Sequence, residues 1–169
     1  TNLRELIVQE GQITDGGVEA LAKLTKLEHL RLRGARLTDR GAAILAALPE
    51  LRIVNLPQAD LTDAGFRQLA ELPRLELLRI GSPHLTDEAM AAIPAATQLR
   101  FLHLINVPLT DAGLTRLRAA RQLKSLYLDG ANVTDDGIEQ LFAALPDLHL
   151  HIDQRHSDHD PHKHAHESQ

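Results

Sequence analysis

The sequence has no cysteine and no tryptophan among its 169 residues, and only one tyrosine and three phenylalanines. The absence of cysteine excludes disulfides, thiolate metal sites and a cysteine nucleophile within these residues, and it is compatible with either redox compartment. A core with so few aromatic side chains must be built from Leu, Ile, Val and Ala, which suits thin, regularly repeated layers. The length is enough for about one domain with a sizeable core.

Long apolar runs, a basic patch and catalytic motifs are also missing. No stretch approaches the ~20 apolar residues of a membrane span, so we expect no membrane insertion in this segment. The net charge is −5 and the Lys and Arg residues are dispersed, which argues against a nucleic-acid partner. The motifs GxSxG and HExxH and a phosphate-binding loop are absent, so we expect no enzyme. No signal peptide precedes the first periodic segment, and the compartment stays unknown.

A tripeptide of Leu, Ile or Val followed by Thr-Asp occurs six times, with consecutive copies 24 residues apart. Before it, LEHLRLR (27–33) alternates leucines with polar residues, the period of a β-strand. After it, apolar residues fall at helical spacing, as Phe66, Leu69 and Leu72 do. Thr and Asp oxygens accept the free N–H groups of a helix start. Each repeat therefore predicts a strand followed by a helix that begins at Thr-Asp. The six aspartates are Asp15, Asp39, Asp63, Asp87, Asp111 and Asp135.

The repeating unit LxxLxLxxxxLTDxGxxxLxxLxx resembles the leucine-rich repeat, in the form whose helix opens with TDAGL, as in LTDAGF (61–66) and LTDAGL (109–114). The resemblance covers about residues 1–153. It implies an α/β fold, a right-handed solenoid or horseshoe with a concave parallel sheet of about seven strands and short helices on the convex side. The sequence starts directly at a strand without a capping helix, so we expect it to be part of a longer chain.

Two details of the repeat carry further expectations. Glycine follows the aspartate by two residues in five of the six repeats, and Ala89 replaces it in the other. Because glycine in a first helical turn costs stability, we attribute it to a close approach of neighbouring coils. Pro94 breaks the helix of the same repeat as Ala89, which should make that repeat the least regular. Many relatives carry Asn, Thr or Cys between the strand and Thr-Asp, but this chain has mainly apolar residues there, which puts a polar ladder in doubt.

The outward-facing strand positions form three columns across the predicted sheet, with neighbouring strands about 4.8 Å apart. Ile53, Leu77 and Phe101 are consecutive in the first column, and Ile105 shares a strand with Phe101. An apolar patch with a polar rim predicts a binding surface, here for a protein or peptide ligand. The alternatives are that these side chains fill a tight groove or are covered by another part of a longer chain. The predicted partner-binding residues are Phe101, Leu77, Ile53, Ile105, Tyr127, His103, Arg31, Arg33 and Arg79.

Histidines are concentrated at the end of the sequence. Residues 154–169 lack apolar periodicity and predict a disordered, His-rich tail. An H-x-H pair on a strand presents both imidazoles to one face, so His149 and His151 with Asp153 are a candidate two-His, one-carboxylate site. The alternative function is therefore binding or sensing of a divalent metal, Zn²⁺ or Ni²⁺, and the competing interpretation is a polar tail whose histidines are incidental. We expect no other cofactor. The metal candidates are His149, His151, Asp153, His156, His159, His162, His164 and His166.

Overall fold

The computed structural model describes residues 2–153 and, for residues 155–156, the backbone. Its strands are β1 (Glu5–Val8), β2 (His29–Leu32), β3 (Ile53–Leu56), β4 (Leu77–Ile80), β5 (Phe101–Ile105), β6 (Ser125–Asp129), β7 (His149–Ile152) and β8 (Arg155–His156). They form one sheet in sequence order. The first seven strands are parallel, as the sequence predicts, and β8 adds a two-residue antiparallel strand beside β7. The rest of the predicted tail lies outside the described residues.

The segments that return the chain from one strand to the next all begin at the aspartate of a Thr-Asp pair, as predicted. They are α1 (Asp15–Val18), which continues as a 3₁₀ helix over Glu19–Lys23, then α2 (Asp39–Ala46), α3 (Asp63–Ala70), a 3₁₀ helix over Asp87–Ala95, α4 (Asp111–Leu117) and α5 (Asp135–Ala144). The 3₁₀ helix at Asp87–Ala95 contains Ala89 and Pro94, so the repeat predicted to be irregular is wound as a 3₁₀ helix and contains no α-helix. None of the described helices is long and apolar enough to cross a membrane.

The core is a layer of aliphatic side chains between the sheet and the helices. In β3, Val54 and Leu56 are fully buried, whereas Ile53 and Asn55 point to the open face. Phe66 on α3 is the largest fully buried side chain. Each repeat thus contributes one thin apolar layer that only its neighbours can cover, which is why the array is stable as a stack.

A row of hydrogen bonds joins the helix starts of consecutive repeats. The carboxylate of Asp39 accepts from the Thr62 backbone N–H at 2.8 Å and from the Thr62 hydroxyl at 2.6 Å. The Thr62 hydroxyl oxygen in turn accepts from the Ala64 N–H and caps α3. We call this row the Asp–Thr ladder. Its other steps are Asp15 to Thr38, Asp63 to Thr86, Asp87 to Thr110 and Asp111 to Thr134.

The Asp–Thr ladder corrects the expectation about which residue caps the helices. The threonine, not both residues of the pair, supplies the side-chain cap of α2 to α5, because the carboxylate is held by the next repeat. A polar ladder does run along the solenoid, but in the Thr-Asp columns and not in the column where relatives carry Asn, Thr or Cys.

Glycine two residues after the aspartate leaves room for this ladder. A Cβ on Gly65 would overlap Oδ1 of Asp39 and lie 3.0 Å from its Cγ. A Cβ on Gly137 would overlap Asp111 in the same way. The predicted close approach of neighbouring coils is confirmed, and the group that approaches is the ladder carboxylate. Ala89 occupies this position in the repeat that is wound as a 3₁₀ helix.

Candidate binding surface on the concave sheet

Strand pairing aligns the predicted concave-face residues in continuous columns. Ile53 pairs with Leu77, and Leu77 pairs with Phe101, so three apolar side chains lie side by side. Ile105 lies four residues along β5 from Phe101 and points to the same face, because side chains alternate along a strand. We call Ile53, Leu77, Phe101 and Ile105 the apolar patch.

Phe101 is the most exposed member of the apolar patch, with 44% of its surface accessible. The other large apolar side chains that are comparably exposed in the described residues are Leu3 at 42% and Ile7 at 47%, both in the first repeat. Phe101 lies instead in the interior of the sheet, between β4 and β6. An exposed aromatic ring beside aligned aliphatic side chains is typical of an interaction surface.

Polar contacts hold the side chains of the central column of the concave face, next to the apolar patch. From β2 to β6 this column consists of Arg31, Asn55, Arg79, His103 and Tyr127. Arg79 donates from Nη1 to Asn55 Oδ1 at 3.3 Å and from Nε to His103 Nδ1 at 3.2 Å. Because Nδ1 accepts a hydrogen bond, the neutral His103 ring carries its proton on Nε2. That atom lies 2.7 Å from Asp129 Oδ2, so His103 is held from both sides.

Aromatic rings continue this column towards the last strand. The His103 and Tyr127 ring centroids are 5.3 Å apart, and Tyr127 stacks on His151 at 4.3 Å with an interplanar angle of 7°. His149 meets His151 edge-on at 4.6 Å. The rings therefore form a preorganised row, which loses little conformational entropy when a ligand covers it.

Arg31, Arg33 and Arg79 form a basic region beside the apolar patch, which we call the arginine cluster. Burial lowers the pKa of Arg79, and the charges of Arg31 and Arg33 lower it further, while Asp129 acts in the opposite direction. Nε of Arg31 is buried and has no hydrogen-bond partner among the described residues. The arginine ion pairs of the described region all involve other arginines. The arginine cluster therefore carries positive charge that no carboxylate of residues 2–153 neutralises within 4 Å.

The structure brings the strand histidines together but does not add the predicted third ligand. The rings of His149 and His151 contact each other. Asp153 has a left-handed backbone with φ of 50°, and its Oδ1 accepts the Gly130 N–H at 2.8 Å. Among residues 2–153 no group of three or more His, Cys, Asp or Glu side chains could hold a metal ion.

The remaining metal candidates, which are the side chain of His156 and all of His159, His162, His164 and His166, lie outside the described residues. Binding of Zn²⁺ or Ni²⁺ by the tail therefore stays a prediction from the sequence.

A row of alternating charges near the start of the strands was missed by the sequence reasoning. Glu28 pairs with Arg4 and with Arg52, and Arg52 makes two hydrogen bonds of 2.9 Å to Glu76. These bonds raise the pKa of Arg52 and lower that of Glu76. The signal was the alternation of Arg and Glu at one repeat position, which continues to Arg100. Because its charges are paired, this row offers a ligand less than the arginine cluster does.

Comparison with known proteins agrees with this geometry. A family model described as "Leucine Rich repeat" matches residues 1–22 and 23–46. No match was found among curated proteins. The fold is similar to that of an internalin (inlF) from Listeria monocytogenes, with a TM-score of 0.57 and 23% identity over 80% of this chain and 45% of that one. It is also similar to the plant peptide hormone receptor RGFR1 in complex with RGF2, with a TM-score of 0.54 and 18% identity over 89% of this chain and 28% of that one. The chain thus spans less than half the length of either protein.

Proposed function

Since the chain is a leucine-rich repeat protein, we propose that the concave face of its sheet binds a protein or peptide ligand. The observation that carries the proposal is Phe101, which is 44% exposed in the interior of the sheet and in register with Leu77 and Ile53. The fold commonly mediates protein–protein interaction, and one of the similar structures is a peptide hormone receptor in complex with RGF2.

The apolar patch supplies the anchors in this proposal. Covering the exposed part of a Phe side chain contributes on the order of 2 kcal/mol of binding free energy. Tyr127 extends the anchor surface, and His103 provides a polar edge that Arg79 and Asp129 hold in place. The arginine cluster gives charge selectivity. Since an open sheet excludes water poorly, we propose binding and no catalysis.

Peptide selection followed by substitution tests the proposal. A random peptide library displayed between two carrier segments is selected on the whole chain, and synthetic versions of the enriched peptides are titrated by fluorescence anisotropy. Phe101→Asp is expected to weaken binding at least about 10-fold, because it places a charge in the hydrophobic centre of the interface. Leu3→Asp is the matched control, since Leu3 is 42% exposed in the first repeat and lies outside both the apolar patch and the arginine cluster.

The control should bind like the unmodified chain. Thermal unfolding of both variants verifies that they are folded. Equal binding by a folded Phe101→Asp variant would contradict the proposal.

A further inference from the structure

We infer that the concave face recognises an extended peptide segment in which an acidic side chain lies two residues from an apolar side chain. This inference rests on the proposed function and adds the chemistry of the ligand. It follows from the arginine cluster, from its distance to the apolar patch, and from the way the neighbouring carboxylate is already engaged.

The first step is the unmet hydrogen-bonding capacity of Arg31. A buried donor without an acceptor is unfavourable, and Nε of Arg31 is such a donor among the described residues. The planar guanidinium matches a carboxylate, which can accept two parallel hydrogen bonds from it. Arg31 as a whole is half-buried and forms no ion pair within the described residues, so the outer nitrogens of its guanidinium can bind a carboxylate brought by the ligand.

The second step is the charge around Arg31. Arg33 is exposed just beyond the end of β2. Arg79 is in the same column as Arg31, two strands away on β4. Burial lowers the pKa of Arg79, and the charges of Arg31 and Arg33 lower it further, so both of these guanidinium groups repel that of Arg79. An anion between them would relieve this repulsion, whereas a cationic ligand would increase it.

The third step is that Asp129, the carboxylate whose charge acts on Arg79, is engaged with a histidine. Asp129 lies 2.7 Å from the Nε2 atom of His103, and Nε of Arg79 donates to the other nitrogen of that ring. Arg79 is also bound to Asn55. Arg31 and Arg33 are therefore the donors that remain for a ligand, and Arg79 contributes mainly its charge.

The fourth step is the distance between the two features. Asn55 pairs with Arg31 across β2 and β3. Asn55 and Ile53 are two residues apart on β3, so their side chains point to the same face. Two residues of extended chain span about 6.6 Å, in the sheet and equally in a bound peptide. A ligand whose residues i and i+2 face the sheet can therefore place an acid over the arginine cluster and an apolar side chain over Ile53 and Leu77.

The test compares peptide selections on three versions of the whole chain. Both ends of the displayed peptides are fused, so that an acidic preference comes from side chains and not from a free carboxyl terminus. The unmodified chain is expected to enrich Asp or Glu two positions from an aliphatic or aromatic residue. Arg31→Met keeps the length and apolar stem of the side chain, and should lose the acidic preference while retaining the apolar one.

The matched control is Arg67→Met on α3, because Arg67 is exposed on the helical side. It should select the same peptides as the unmodified chain. A synthetic peptide of the enriched sequence should bind Arg31→Met about 10-fold more weakly, and its Glu→Gln or Asp→Asn version should bind the unmodified chain more weakly by a similar factor. Urea unfolding verifies that both protein variants are folded.

The outcomes separate the two proposals. Selected peptides that depend on Phe101 but show no acidic preference, or an acidic preference that Arg31→Met leaves intact, would overturn this inference and leave the proposed function standing. Peptides whose binding is independent of Phe101 would overturn both.

Discussion

The Asp–Thr ladder and the central column of the concave face run through the same repeats, but the ladder is the same at every step and the column differs from strand to strand. The ladder repeats one pair of residues at every step, with the threonine hydroxyl 2.6 Å from the carboxylate in all five steps. The central column changes at each strand from β2 to β6, from Arg31 through Asn55, Arg79 and His103 to Tyr127. Identical contacts stabilise the stack, whereas a surface that changes from strand to strand distinguishes one ligand from another.

The largest effect is expected from Gly65→Ala, which acts on the ladder. The added Cβ would overlap Oδ1 of Asp39, a carboxylate already held by Thr62. We expect a loss of about 3 kcal/mol in the free energy of unfolding, measured by urea denaturation. Gly16→Ala is the control, because its Cβ would lie 3.9 Å from Thr14 Oγ1 and meets nothing closer. Equal stability of the two variants would refute the steric explanation of the repeated glycine.

A smaller effect is expected from pH, through Asp111. Hydrogen bonds from the Thr134 hydroxyl and backbone N–H lower the pKa of this carboxyl. A group whose pKa is lowered by folding stabilises the protein above its unfolded pKa, and this contribution is lost as the pH falls through the folded value. The stability of the unmodified chain should therefore exceed that of Asp111→Asn at neutral pH, and the difference should shrink in acid.

Urea denaturation at a series of pH values measures this difference, with Asp147→Asn as an exposed control outside the ladder. A difference between the chain and Asp111→Asn that is independent of pH would show that the ladder does not favour the ionised carboxylate.

The smallest effect is expected from Arg31→Met in the concave column. The substitution removes a buried donor that lacks a partner among the described residues and a charge that repels Arg79. Stability should stay within about 0.5 kcal/mol of the unmodified chain or increase slightly. Urea denaturation at neutral pH measures it. A loss comparable to that of Gly65→Ala would mean that the concave column stabilises the fold and is not reserved for a ligand.

The features that the sequence predicted are local or follow from its period. Each helix begins at the predicted aspartate, and in α2 to α5 the preceding threonine caps the helix by bonding within its own repeat. The register of Ile53, Leu77 and Phe101 follows from the 24-residue interval, since equal repeats place equal positions side by side. The two faces of each strand then follow from the alternation of side chains.

The features that were missed depend on distances between repeats or on backbone angles. The bond from Thr62 to Asp39 joins residues 23 positions apart, and the pair also makes sense as a local cap, so the pattern alone does not show it. The signal in the sequence was the glycine two residues after the aspartate, since Gly65 leaves the space that Asp39 of the preceding repeat occupies. The contact of His103 with Asp129 joins two different columns, and the left-handed backbone of Asp153 leaves no mark in the residue pattern.

The 3₁₀ helix over Asp87–Ala95 has a consequence for the shape of the binding surface. With about three residues per turn, such a helix is slimmer than an α-helix. A solenoid bends because its helical side is wider than its sheet, so a slimmer segment behind the sheet reduces the bend at that repeat. This segment lies between β4 and β5, next to the strand that carries Phe101. We therefore expect Ala89 and Pro94, on the helical side of the molecule, to make the sheet flatter beside Phe101 than at the α-helical repeats.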